Sequence, residues 1–199
     1  MRTRSVAAVS LVVLGIGAAG CGSGATPADR PAAAPPDPNA AEVSPAGDIP
    51  DNQAFVAYAP PGGGYSVKVP EGWARTSAGG AVTFTDKLNS ITMETAPAKA
   101  AATTGDVKRT ELPRLAQTVP GFEPGQVSSV MRKSGRAVRI TYLSKSKPDP
   151  VTGKTQTDAV ERYVFFRNGS EVVLTLKGPK GADNVDPWKI VTDSLSFTA

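Results

Sequence analysis

Apolar and polar residues alternate over most of the chain beyond residue 54, and the period changes twice. Phe55–Ala59 reads as a strand stopped by Pro60–Gly64, and Tyr65-Ser66-Val67-Lys68-Val69 alternates strictly. Pro70-Glu71-Gly72-Trp73 reads as a turn. Val82 and Phe84 then alternate with Thr83 and Thr85, Asp86–Asn89 turns, and Ile91 and Met93 alternate with Thr92 and Glu94. This predicts an antiparallel meander with one wet face. Next, Leu112, Leu115, Ala116 and Val119 make one helical stripe, with Asp106 as a starting cap and Pro120-Gly121 as the stop. Pro113 either kinks that helix or is its first regular residue. Strands return over Val127–Lys133, Ala137–Lys145, Ala159–Arg167 and Val172–Leu176. Asn168-Gly169 is a strong two-residue hairpin signal, and Gly178–Gly181 breaks the last of these strands. Asp186 and Pro187 open a second helix whose Trp188, Val191 and Leu195 share a face, and Ser196–Thr198 is a closing strand. The fold class is α+β: an antiparallel β-sheet flanked by helices.

Before residue 54 neither period holds. An apolar run from Val6 to Ala19 follows Arg2 and Arg4, the layout of an export signal over residues 1–20, and it is too short to span a membrane comfortably. From Gly22 to about Asn52 the chain is Ala, Pro, Asp and Asn without apolar periodicity, so residues 21–53 read as a disordered tether and 54–199 as the folded domain.

Composition sharpens this. Cys21 is the sole cysteine, so no intramolecular disulfide forms. Ala18, Ala19 and Gly20 stand immediately before it, and the stretch resembles the lipobox of bacterial lipoproteins. That resemblance implies cleavage after Gly20 and a diacylglyceryl group on Cys21. The protein would then be a lipid-anchored one on the extracytoplasmic face of the cell membrane. Ala18 stands where the family prefers Leu.

Histidine is absent, which removes histidine-based nucleophilic and general-base catalysis and the usual zinc or copper sites. We expect no enzyme, no cofactor and no metal. Residues 22–53 carry one Arg against five acids, whereas residues 54–199 carry 19 Lys and Arg against 13 Asp and Glu. A basic head is drawn to anionic envelope components over a Debye length of about 8–10 Å, although such a charge also serves solubility. Export sets nucleic acid aside as a partner.

Gly64-Tyr65-Ser66-Val67-Lys68-Val69-Pro70-Glu71-Gly72-Trp73 and Gly178–Trp188 resemble segments of the PsbP-like group, which includes envelope lipoproteins of the LpqN type. The resemblance implies an α/β/α sandwich over about residues 54–198 and a non-catalytic binding role, for which the expected partner is an envelope protein or an anionic envelope polymer. It supplies no catalytic residue. The candidate binding loop is the polar excursion after the second long strand, with Lys145, Lys147, Asp149 and Lys154, read alternatively as a solvated crossover.

Other motifs carry less. Gly153-Lys154-Thr155 lacks the glycine a phosphate loop needs, since Pro148 stands there. Asp183, Asn184 and Asp186 read as a helix start before a calcium site. An envelope hydrolase would need two of Glu71, Asp86 and Glu94 within ~10 Å of each other. An acyl or glycolipid carrier would need an apolar pocket between sheet and helix.

Overall fold

The computed structural model describes residues 46–198. The export signal, Ala18, Ala19, Gly20, Cys21 and the tether up to residue 45 lie outside the described residues. The strands are β1 (Phe55–Tyr58), β2 (Tyr65–Pro70), β3 (Ala74–Ala78), β4 (Ala81–Asp86), β5 (Asn89–Pro97), β6 (Glu123–Arg132), β7 (Gly135–Lys145), β8 (Thr157–Arg167), β9 (Ser170–Pro179) and β10 (Ser196–Phe197). Between β5 and β6 run α1 (Thr104–Asp106), a wide π-helical turn (Val107–Glu111) and α2 (Leu112–Thr118); α3 (Val185–Ser194) precedes β10.

The expected α+β architecture is present, but the meander is divided. β3-β4-β5-β9-β8-β7-β6 form a seven-stranded antiparallel sheet, while β1, β2 and β10 form a separate three-stranded sheet. β2 pairs with β1 and β10 and turns away before β3. One face of the large sheet packs Phe84, Ile91, Met93, Phe165, Leu174 and Leu176 against the small sheet and α3. The other face packs Val138, Ile140, Val160, Val164 and Val173 against Val107 and Leu115 of the helical segment. Each fully buried aliphatic or aromatic side chain stabilises by about 1.5–3 kcal/mol.

Local signals were shifted at three places. Thr103, not Asp106, is the N-cap of α1: its hydroxyl accepts from Asp106 N at 3.1 Å, and the Asp106 carboxylate accepts from Thr103 N at 3.0 Å, a capping box. The π turn lies just before Pro113, whose ring would press on the preceding carbonyl of a regular helix. Asn184 occupies the start of α3, and Asp186 lies inside its first turn.

The tether boundary also moves. Residues 46–53 belong to the folded unit: Ile49 is 4% exposed and joins the large core. Two buried asparagines hold this stretch. Asn184 Oδ1 accepts from Ile49 N at 2.8 Å, its Nδ2 donates to Gly47 O at 3.0 Å and to Asn89 Oδ1 at 3.1 Å, and Asn89 Nδ2 donates to Gly47 O at 2.8 Å. Gly178 makes room for the cluster, since a Cβ there would lie 2.3 Å from Asn89 Oδ1.

Candidate functional site

The excursion between β7 and β8 folds back onto the end of the large sheet. Asp149 shapes it by accepting from Val151 N at 3.0 Å, Thr152 N at 2.7 Å and Thr152 Oγ1 at 2.9 Å. These bonds, those from Thr152 foremost, hold its carboxyl below the usual aspartate range. Gly153 N donates to Asp149 O at 2.8 Å, and Asp149 N donates to Lys154 O at 2.9 Å, which closes the tip.

Under this loop lies a groove of about 720 Å³. Of the four candidate loop residues, Lys147, Asp149 and Lys154 line the groove, and Lys145 does not. Lys145 Nζ instead donates to Thr157 Oγ1 at 2.6 Å, its cross-strand partner. Two lysines invisible to a local reading complete the wall: Lys87 from the β4–β5 turn and Lys177 from β9. Asp158 forms part of the floor. It is fully buried, accepts from Gln156 Nε2 at 2.8 Å, and stands 3.3 Å from Lys177 Nζ without the alignment of a hydrogen bond. This ion pair fixes the Lys177 ammonium at the groove.

The two carboxylates of the groove are therefore occupied internally, while Lys87, Lys147 and Lys154 make no ion pair among the described residues. Lys87 is also held at φ 48°, a left-handed conformation that costs a side-chain-bearing residue about 1–2 kcal/mol. Strain of this kind concentrates where geometry serves binding. Chemically, the groove offers ammonium charges over an open surface, with Leu88, Pro148 and Pro150 supplying apolar contact.

Of the three acids of the hydrolase reading, Glu94 stands apart from Asp86. Glu94 Oε2 accepts from Arg162 Nη1 at 2.8 Å in mid-sheet. Asp86 pairs with Asn89, five residues from Glu94 along β5, which is about 16 Å at strand rise. Glu71 lies in the turn after β2, its N–H bonded to Ala54 O. Among the described residues no group of three or more His, Cys, Asp or Glu side chains is assembled to hold a metal ion, and the Asn184 side chain is engaged with Ile49, Gly47 and Asn89.

No family model matches the sequence, and none of the curated proteins matches it. Solved structures do. Cyanobacterial PsbP (CyanoP) from Synechocystis sp. PCC 6803 superposes with a TM-score of 0.52 at 15% identity, over 73% of this chain and 94% of that one. The fold is thus PsbP-like. LpqN of Mycobacterium tuberculosis, involved in cell envelope biogenesis, gives a TM-score of 0.44 at 15% identity, covering 75% and 93%. A structure from Bacteroides thetaiotaomicron gives 0.48 at 16% identity over 72% of this chain, which spans 48% of that protein.

Proposed function

We propose that this chain is an exported lipoprotein, anchored through a diacylglyceryl group on Cys21 at the extracytoplasmic face of the cell membrane. There its domain binds an anionic component of the envelope without transforming it. The anchoring half is supported by the basic, apolar and small-residue order of residues 2–20 ahead of the only cysteine. The binding half is carried by one observation: Lys87, Lys147 and Lys154 surround a groove whose own carboxylates are already engaged. Lysines without aromatic or arginine partners act as point charges and suit a polymer with repeated anionic groups better than one ligand of fixed geometry.

Fatty-acid labelling of wild type and Cys21→Ala tests the anchor. Label on wild type alone, with Cys21→Ala leaving the membrane fraction, is the expected result. The groove is tested by binding to immobilised polyglutamate and to polyphosphate chains. Retention of one of them, lost on raising the salt, supports the reading; retention of neither defeats it.

A second reading, an acyl or glycolipid carrier, has one feature in its favour. A depression of about 360 Å³ beside α3 is lined by Pro124, Leu143, Val160 and Trp188. Saturable uptake of a fluorescent fatty acid, weakened by Leu143→Lys, would favour it over the groove.

A further inference from the structure

The face of the large sheet that meets α3 is apolar along β4, β5 and β9, whereas β7 and β8 add Arg139 and Glu161 to it beside Ala137, Tyr163 and Phe165. Arg139 on β7 is paired across the strands with Tyr163 on β8, and Glu161 lies two residues before Tyr163. Tyr163 Oη donates to Glu161 Oε2 at 2.6 Å. Arg132, from the end of β6, donates through Nη2 to Tyr163 Oη at 2.7 Å and through Nε to Thr192 Oγ1 of α3 at 3.0 Å. Its guanidinium stands over the Tyr163 ring at 5.0 Å from the centroid. Burial first, and then the bond to Glu161, push the Tyr163 phenol above its ordinary value, so it stays a donor.

Arg139 is less well served. Its one hydrogen bond among the described residues is a long one, Nη1 to Glu161 Oε1 at 3.3 Å, and its Nε is buried with no acceptor. A buried donor left unmet carries a desolvation penalty that an apolar residue here would not incur. These groups surround a cleft of about 250 Å³, closed by Trp188, Lys189 and the first turn of α3 at Asn184 and Val185. Asp193 of α3 holds Lys189 Nζ at 2.6 Å and lies 3.8 Å from Arg132 Nε, so Arg139 is the cation left with only Glu161, a carboxylate that already accepts a phenol. The positive end of a ten-residue helix adds to the field.

We propose that this cleft is a second binding site, separate from the lysine groove, for a small oxyanion on a compact apolar body, either a phosphate monoester or a carboxylate. Arg139 is its anchor. The guanidinium fork matches either group through two parallel hydrogen bonds, which Glu161 at 3.3 Å does not supply. Trp188 and Val185 receive the apolar body, and Lys189, its ammonium shared with Asp193, stands at the rim. The site needs neither the lipid anchor nor an envelope polymer, so its fate is independent of the function proposed above.

Trp188 gives the readout. In the full chain carrying Trp73→Phe, its fluorescence is followed on titration with phenyl phosphate, benzoate and uncharged benzyl alcohol. A saturable response to phenyl phosphate or benzoate is expected, the tighter of the two naming the oxyanion, with none to benzyl alcohol. Arg139→Gln should weaken binding about tenfold or more, the scale of a charge-assisted hydrogen bond. Because that change strands Glu161, the double variant Arg139→Gln/Glu161→Gln and the rim variant Lys189→Gln are measured alongside. The double variant should lose binding while folded, and the rim variant should lose about threefold, as for one exposed charge. An equal response to benzyl alcohol, no saturation, or unchanged affinity in both of those variants would overturn the proposal.

Discussion

The two ends of the seven-stranded sheet are built to different standards. At one end β8 turns into β9 through Asn168-Gly169, with φ of 51° and 80°, the left-handed pair that a tight hairpin requires and that these two residues adopt at least cost. At the other end β4 turns into β5 through Lys87-Leu88, with Lys87 at φ 48°. That second end also holds the long excursion, the buried Asp158, the lysine groove and the asparagine cluster that clamps residues 47–49. One end closes the fold by the easiest chemistry. The other accepts strain, a buried charge and unpaired cations, the departures from local consistency that mark a working surface.

Substitutions should divide along the same line. The largest effect is expected at Asp158. Asp158→Ala leaves Gln156 and Lys177 without their buried partner and should cost about 3 kcal/mol in urea unfolding. Loss of less than about 1 kcal/mol would mean that the carboxylate is dispensable to the groove end. Asn184→Ala comes next: it orphans Ile49 N and breaks the contact with Asn89, at about 2 kcal/mol. Faster proteolysis near residues 46–53 should accompany it.

The pH dependence should have opposite signs at the two ends. Asp149, held low by its turn hydrogen bonds, favours the ordered loop above the ordinary aspartate range, and this is lost as pH falls through its folded pKa. Glu171, at the Asn168-Gly169 end, is raised by burial and then by repulsion from Glu111. A raised carboxyl binds its proton more tightly when folded, so its contribution fades as pH rises through the folded pKa. Glu171→Gln should therefore raise the melting temperature at pH 7 more than at pH 3, and the protection factor of the Thr152 amide, its exchange rate corrected for pH, should fall in acid.

The smallest effects lie in the turns. Lys87→Gly should relieve strain and stabilise by about 1 kcal/mol while weakening polyanion binding about threefold. Asn168→Ala should destabilise by about 1 kcal/mol and leave binding unchanged. If Lys87→Gly strengthens binding, the contrast between the ends is misdrawn.

Much of the fold was legible because strand alternation and the Asn-Gly turn are local signals. β3 was not, since all five of its residues are exposed and nothing alternates. Ile49 was hidden because one buried residue among Pro and Asp makes no pattern, and its partners are Asn89 and Asn184, far along the chain. For the candidate site, Lys147, Asp149 and Lys154 could be read from loop composition. Lys87 and Lys177 could not, because only pairing of β5 with β9 and of β8 with β9 brings them to the excursion. Lys145 ends β7 as the alternation predicts, and its cross-strand partner Thr157, not the groove, takes its ammonium. Arg139 gives no local signal of its surroundings, because α3, far along the chain, is what covers that side of β7.

The strained, lysine-bearing end of the sheet is where we propose that this protein meets a polyanion. This is tested most directly by measuring affinity for polyphosphate or polyglutamate from about 50 to about 300 mM salt, a range over which the Debye length shortens markedly. Wild type is set beside the Lys87→Glu/Lys147→Glu/Lys154→Glu variant. The account predicts steep salt weakening in wild type and a loss of about a hundredfold at low salt in the variant, with its melting temperature within about 3 °C of wild type. Binding that ignores both salt and the three substitutions would contradict it.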